Sequence, residues 1–235
     1  MTDAAPIPGD SPAESATFPA AIADQLRREI LTGALPPGSL VKERDHAERL
    51  GVSRTPLREA VRILAKEGLV TLRPLRSPLV TDLTRQEALD EVAVLRLLEL
   101  YGGELACANA TDDEIAEIAR LADIVDRTHA TGDKVEVFDT DMRMHRAIVA
   151  AGHNTALERA YSEHLARLWR IRFLSARRRS DAARVLGDHK GMVAALQARD
   201  AVAMRASMAS HLDSLTGNVE RHFDDLAAGR DPAAS

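Results

Sequence analysis

Apolar residues recur with a helical period along the first part of the chain, and glycines mark where helices end. Residues 20–32 carry this pattern and predict a helix that stops at Gly33. A short second helix is predicted over Glu43–Leu50, where Gly51 suits the left-handed residue that follows a helix. A third helix is predicted over residues 53–68. Two helices joined by about three residues have helix-turn-helix spacing.

Two short runs of β-forming residues, 69–72 and 79–81, flank Pro74 and Pro78 and predict a two-stranded wing. Beyond this point every periodic segment is helical. The predicted helices span residues 84–109, 112–129, 134–151, 155–178, 181–198 and 200–227. The sequence therefore predicts a mainly α protein, in which a winged helix-turn-helix over residues 18–82 precedes an all-helical bundle over residues 84–228.

The net charge of −5 conceals an asymmetry between these two predicted domains. Residues 18–82 contain 11 Lys and Arg against 8 Asp and Glu, a net charge of +3, so the rest of the chain carries −8. A basic domain suits a polyanionic partner such as DNA, whereas the acidic remainder does not.

The two ends of the chain lie outside the two predicted domains, and the chain has a single cysteine. Residues 1–17 are acidic and rich in Pro, Ala and Ser, which predicts a disordered tail, and residues 229–235 are predicted as a second tail. Cys107 has no partner for an intrachain disulfide. No apolar run approaches the roughly 18 residues of a membrane span. We therefore expect a soluble cytoplasmic protein.

The first turn of the third predicted helix concentrates groups that suit DNA. Hydroxyls and helix N–H groups bind phosphates, and arginine can bind guanine through two hydrogen bonds. Arg54 and Arg58 share one face, while Leu57 and Val61 occupy the other. The candidate DNA-contacting residues are Arg44, Ser53, Arg54, Thr55, Arg58 and, in the wing, Arg73 and Arg76. A solvated face explains any one arginine as well, but the segregated set favours DNA.

Four residues of the helical domain have the side chains of a metal site. Asp141 and His145 are four residues apart and project from one helix face, and His189 and His211 can point inward from later helices. Three imidazoles and a carboxylate suit Zn²⁺, Ni²⁺ or Mn²⁺. The residues alone leave ordinary explanations open, since Asp141 can pair with a neighbouring arginine and a buried histidine can be purely structural.

Two segments, residues 35–44 and 51–60, resemble the signature of GntR-type transcriptional regulators, and the resemblance covers about residues 20–81. It implies a winged helix that binds a pseudo-palindromic DNA operator as a homodimer. On the matching positions, Arg44, Arg54 and Arg58 contact or anchor to bases, and Ser53 and Thr55 contact phosphates. One departure is Ser77, which stands in the wing where the family has Gly, so a positive φ there would be strained.

The helical domain resembles the FCD ligand-binding domain of FadR-type GntR regulators, over about residues 87–226. The motifs are residues 141–145, 150–154, 188–189 and 210–212. The resemblance implies that Asp141, His145, His189 and His211 hold a divalent cation, with Zn²⁺ expected first, beneath a pocket for a small organic acid. Arg96 and Asn154 are the implied effector-binding residues, and Arg172 and His164 are weaker candidates. The ordinary alternative for Arg96 is a surface pair with Glu99.

These features together predict a transcriptional regulator, expected to repress, whose operator binding responds to a metal-held carboxylate effector. The alternative from another class is a metal-dependent hydrolase that uses the same Asp and His residues, but no general base is evident beside them, and we expect no enzyme. A purely structural metal is a third possibility. The basic triplet Arg177 to Arg179 is given no function.

Overall fold

The computed structural model describes residues 12–177 and 182–229, and the chain divides into two compact units, Met1–Thr81 and Asp82–Ser235. The predicted N-terminal tail lies outside the described residues up to residue 11, and the helix predicted from residue 20 begins earlier, at Pro12. Most of the predicted C-terminal tail, and Arg178 and Arg179 of the basic triplet, also lie outside them.

The first unit is a winged helix-turn-helix, as the sequence predicted. Its elements are α1 (Pro12–Thr32), α2 (Glu43–Leu50), α3 (Arg54–Lys66), β1 (Val70–Arg73) and β2 (Arg76–Val80). Gly51 ends α2 in the left-handed conformation, with φ +65°. Leu26 and Ile30 of α1 and Leu57 and Leu64 of α3 are fully buried, so the core of this unit fixes the outward face of α3.

The wing is an antiparallel pair in which Val70 is opposite Val80. The sequence led us to expect a positive φ at Ser77. The residue with positive φ at the tip of the wing is instead Leu75, at +55°, and Ser77 lies within β2. The Arg73 guanidinium donates two hydrogen bonds to the Ser77 carbonyl, at 3.0 and 2.6 Å. The backbone strain expected at Ser77 therefore falls on Leu75, where the left-handed conformation costs a non-glycine residue about 1–2 kcal/mol.

The second unit consists of helices throughout its described residues. They are α4 (Arg85–Asn109), α5 (Asp112–Thr128), α6 (Lys134–Ala150), α7 (Thr155–Arg177), α8 (Ala182–Ala198) and α9 (Ala201–Ala227). These bounds confirm the predicted helices to within one residue over the described ranges, whereas the predicted end at residue 178 and start at residue 181 lie outside them. Thr84 with Glu87 and Thr111 with Glu114 form capping boxes, which define where α4 and α5 begin. Within the described ranges, no helix is long and apolar enough to cross a membrane.

Helices α4 and α9 run antiparallel, since ion pairs join early residues of one to late residues of the other. The pairs are Arg85 with Asp224, Arg96 with Asp213, and Arg205 with Glu104. A Cβ added at Gly103 would lie 3.0 Å from the Met204 side chain, so the absence of a side chain lets the helices approach closely. This packing places the histidine of α9 in the interior of the bundle.

Candidate functional site

The N-terminus of α3 presents the predicted DNA-contacting groups to solvent. Ser53 precedes the helix, and Arg54, Thr55 and Arg58 are exposed on its first turns. The Arg58 guanidinium lies 3.0 Å from the Glu43 carboxylate at the start of α2, which orients it along the surface. This pair is half exposed and is worth under about 1 kcal/mol, so a phosphate can displace the carboxylate at small cost.

One open cavity of about 500 Å³ brings together groups from α2, α3 and the wing. Its charged lining residues are Lys42, Glu43, Arg44, Asp45, Arg54, Arg58 and Arg76. Five basic side chains against two acidic ones make this face positive. Ser53 and Thr55 are exposed beside it at the start of α3. The fold thus gathers Arg44, Arg54, Arg58 and Arg76 on one surface, although they belong to separate elements of the chain. The other predicted arginine, Arg73, does not line this cavity and instead bonds to the Ser77 carbonyl within the wing.

A second cluster lies buried in the helical unit and is built from three helices. His145 of α6, His189 of α8 and His211 of α9 are each at most 4% exposed, and each offers a nitrogen within 4.8 Å of the others. Asp141, one turn before His145, places Oδ1 3.3 Å from Nε2 of His189 and 3.8 Å from Nε2 of His145. The structure therefore brings together all four predicted metal ligands.

The chemistry of this donor set fits a divalent transition metal. Imidazole nitrogens and a carboxylate oxygen are borderline ligands that suit Zn²⁺, Ni²⁺ or Mn²⁺. A neutral imidazole coordinates a cation through a ring nitrogen, and the three histidines pack together beside the Asp141 carboxylate. The nitrogens of the three imidazoles lie within 4.8 Å of one another, and Asp141 lies near two of these three side chains.

A buried network beside His145 was not predicted from the sequence, which placed Glu99 in a surface pair and named Arg172 only as a weak effector candidate. Oε1 of the fully buried Glu99 accepts a 2.7 Å hydrogen bond from the Tyr161 hydroxyl and a 3.1 Å bond from Arg172. The same oxygen lies 3.3 Å from Nδ1 of His145. The spacing of Ala88, Val92, Leu95 and Glu99 on the buried face of α4 is the signal that could have found it.

Electrostatics keep Glu99 ionised within the bundle. Burial by itself would raise the pKa of its carboxyl, but Arg172, His145 and the Tyr161 hydroxyl outweigh burial and hold the pKa below its ordinary value. Burial and the Glu99 carboxylate raise the pKa of Tyr161 well above 10, so its hydroxyl remains a donor. Arg172, only 4% exposed, supplies the positive charge that this buried carboxylate needs.

The two predicted effector-binding residues have other partners. Arg96 lies on the α4–α9 seam, 2.7 Å from Asp213, so the alternative pair with Glu99 is wrong. Its other hydrogen bond goes to the Ala209 carbonyl at 3.3 Å. Asn154 accepts a 3.1 Å hydrogen bond from the Leu157 N–H and thereby caps the start of α7.

His164, the weaker candidate, pairs with Glu91, which also accepts from Arg167 at 2.8 Å. A cavity of about 200 Å³ between α5 and α8 reaches His189 from the outside. Asp126 and Lys190 form a 3.2 Å ion pair at this cavity. The histidine cluster is therefore buried, but one of its members, His189, also lines a cavity that opens to the surface.

Comparison with known proteins matches both units to families. The model for "Bacterial regulatory proteins, gntR family" matches residues 19–80, and the FCD domain model matches residues 91–214, more than half of the chain. An uncharacterized HTH-type regulator of Bacillus subtilis, YdhC, is 29% identical over 57% of this chain, and the match spans only 61% of that protein. The gluconate operon transcriptional repressor of Bacillus licheniformis is 24% identical over 85% of this chain and 84% of its own length.

The solved structure of E. coli McbR/YncC has the same fold, with a TM-score of 0.71 and 21% identity over 88% of this chain and 98% of that one. These findings give the hydrolase alternative no support. The chain belongs to the GntR family of bacterial transcriptional regulators, which are not enzymes, and its helical unit is an FCD domain, as the sequence predicted.

Proposed function

We propose that this protein is a homodimeric repressor that binds a pseudo-palindromic operator and is controlled by a small organic acid held at a divalent cation in the FCD domain. The observation that carries the DNA-binding part is the convergence of Arg44, Arg54, Arg58 and Arg76 on one open surface. Repression is supported by the name of the related gluconate operon repressor, which aligns with most of the chain.

The roles of the DNA-contacting groups follow from where they lie on the winged helix. Arg54 and Arg58 project from the first two turns of α3, the part of a recognition helix that reaches base edges in the major groove. Ser53 and Thr55 flank the same helix start, where hydroxyl and N–H groups suit phosphates. Arg76 extends from the wing toward the backbone or the minor groove. We assign sequence readout to the arginines of α3 and positioning to the other groups.

A cation in the helical unit would be held by Asp141, His145, His189 and His211. When bound, it would supply positive charge and coordination positions for the carboxylate of an effector. Zn²⁺ suits this donor set best, and Ni²⁺ and Mn²⁺ are the alternatives. The burial and mutual distances of the three imidazoles support this assignment.

Glu99 has a positioning role in this proposal. Nδ1 of His145 lies 3.3 Å from Oε1 of Glu99, whereas Nε2 is the ring nitrogen near Oδ1 of Asp141, at 3.8 Å, and is the one that we assign to a cation. A hydrogen bond from the second ring nitrogen to a carboxylate would fix the tautomer and orientation of a ligand histidine, and Glu99 is near enough to His145 to accept one when the cation is bound. Tyr161 and Arg172 in turn fix the carboxylate, so the network extends from α4 and α7 to the cluster.

Effector binding by Arg96 requires competition within the α4–α9 seam. Its guanidinium pairs with Asp213, whose side chain is 68% exposed, so an incoming carboxylate can replace one carboxylate with another. The Asn154 side-chain oxygen already caps α7, so Asn154 would bind an acid either while it keeps this hydrogen bond or after the bond breaks. Both residues remain proposed ligands of the acid.

A row of exposed apolar side chains on α4 supports the homodimer. Val94, Leu97 and Tyr101 are 38%, 65% and 50% exposed at spacings of three and four residues, so they share one helix face. A second copy of the same chain suits this face, because a two-fold axis packs the same row against itself. A dimer also supplies the second winged helix that is needed to bind the second half-site of a pseudo-palindromic operator.

Thermal melting of the full chain tests the cation and effector together. The chain is stripped with a chelator, reloaded with Zn²⁺, Ni²⁺ or Mn²⁺, and melted with and without gluconate, lactate or citrate. A bound acid should raise the melting temperature only when the cation is present. Cation-induced stabilisation with no response to any acid would instead favour the structural role, and no response to either would contradict the metal assignment.

A further inference from the structure

The tip of the wing carries an apolar side chain in an unfavourable setting. Leu75 is fully exposed, at 106% relative accessibility, and its φ of +55° lies in the left-handed region. With Pro74 before it, Leu75 occupies the turn position with positive φ that glycine ordinarily fills. Neither hydrophobic burial nor turn geometry within the winged helix explains a leucine at this position.

Hydrogen bonds hold the turn that carries Leu75, and this turn lies beside the positive surface. Arg73 holds the far side of the turn through its two hydrogen bonds to the Ser77 carbonyl. Leu75 itself lines the open cavity that Arg54, Arg58 and Arg76 also line. The side chain is therefore presented outward, on a braced hairpin, beside the groups that attract a polyanion.

We infer that Leu75 is an apolar wedge that enters the minor groove of the operator beside Arg76. Proteins that bind the minor groove frequently insert an apolar side chain between base steps, which partly unstacks the bases and kinks the duplex. The negative potential of the groove attracts the charge of Arg76, and the apolar side chain of Leu75 fills space within the groove. The inference rests on the proposed DNA binding, and nucleic acid is chosen over a protein partner because the groups around Leu75 are predominantly cationic.

A wedge of this kind reads sequence indirectly. Inserting it costs least at flexible pyrimidine–purine steps, so base preference arises at positions where no hydrogen bond reads the base. The preference due to Leu75 should therefore lie in the flanks of each half-site, outside the bases read by α3. It should disappear when the side chain is removed, while the preference due to Arg54 and Arg58 stays.

The probe is a duplex selected in vitro from a randomised pool by the full-length wild-type chain. Leu75→Gly removes the side chain and relieves the strained φ, so this variant should melt at a higher temperature than wild type yet bind the duplex about tenfold more weakly. Because no charge is lost, its plot of log affinity against log salt should keep the wild-type slope. Leu75→Met retains an apolar side chain and should bind like wild type.

Arg76→Ala is the matched comparison on the same hairpin. It should reduce the slope of log affinity against log salt by about one unit, the amount expected for the loss of one phosphate contact. When the selection is repeated with Leu75→Gly, the selected duplexes should keep the bases read by α3 and lose the base preference in the flanks of each half-site. Wild-type affinity and unchanged flanks for Leu75→Gly would overturn the inference, as would weak binding by Leu75→Met. If the wild-type chain enriches no duplex at all, the proposed operator binding itself fails, which is a distinct result.

Discussion

Nδ1 of His145 lies 3.3 Å from Oε1 of Glu99, and both side chains are completely buried. This contact joins two groups of residues that sequence spacing does not connect. On one side are Asp141 and the histidine cluster, and on the other are Tyr161 and Arg172, which donate to the same carboxylate oxygen. The order of the proposed cation site therefore depends on α4 and α7 as well as on the helices that carry its ligands.

Arg172→Met should destabilise the protein strongly, because it leaves the Glu99 carboxylate buried without its cationic partner. We expect a loss of about 3–5 kcal/mol in the free energy of unfolding, measured with urea. Arg96→Met is the matched control, since its pair with Asp213 is partly exposed, and it should cost under about 1 kcal/mol. The double variant Arg172→Met with Glu99→Gln should recover part of the loss, and equal losses for the two arginine variants would contradict this account.

Removing one ligand of the histidine cluster should abolish stabilisation by a divalent cation. Wild-type protein reloaded with Zn²⁺ at about 100 times its dissociation constant should gain about 2.7 kcal/mol over the stripped form. His189→Ala should show little of this gain and should bind less than one Zn²⁺ per chain by elemental analysis. His222→Gln, at a buried histidine outside the cluster, should keep both properties. Full Zn²⁺ content in His189→Ala would remove that residue from the ligand set.

Glu114 should contribute stability that disappears in acid. Hydrogen bonds from the Thr111 backbone and from His153 lower its pKa to about 2 from the ordinary 4.5. Since the folded pKa is the lower one, the contribution is present above pH 4.5 and is lost as the pH falls toward 2. Solvent screening keeps it below about 1 kcal/mol. Urea unfolding of Glu114→Gln should therefore show a deficit at pH 7 that narrows below pH 4.5.

The control for this effect is Asp113→Asn, which removes an equal charge from the same helical turn. This substitution leaves the Thr111 bonds in place, because Thr111 donates them to the Glu114 carboxylate. A deficit for Glu114→Gln that stays constant down to pH 2 would show that the capping carboxylate is not the group that titrates.

The helices were predictable because local signals agree with the periodic pattern. Capping boxes at Thr84 and Thr111, the left-handed Gly51 and regular apolar spacing all lie within the segments they define. The grouping of Asp141 with His145 is likewise local, one turn of α6 apart. Features fixed within about one helical turn are therefore readable from the chain itself.

Partners from distant helices were not predictable in the same way. Arg96 pairs with Asp213, 117 positions away, and its neighbour in the sequence, Glu99, turns inward instead. The burial of Glu99 follows from helices α6, α7 and α9 all packing against α4, which buries most of the circumference of this helix and leaves a narrow exposed face. The strained turn residue was misplaced by two positions, because the hairpin register sets it and the sequence does not specify that register.

The most direct test of the central claim is the salt dependence of binding to the selected duplex by wild type, Arg54→Ala, Arg58→Ala and the control Arg49→Ala. Arg49 is an exposed arginine of the same unit that pairs with Glu29 away from the positive cavity. Each α3 variant should lose affinity and about one unit of salt slope, because each loses one cationic contact to DNA, while Arg49→Ala should keep both. Wild-type affinity and slope in Arg54→Ala and Arg58→Ala would contradict the central claim.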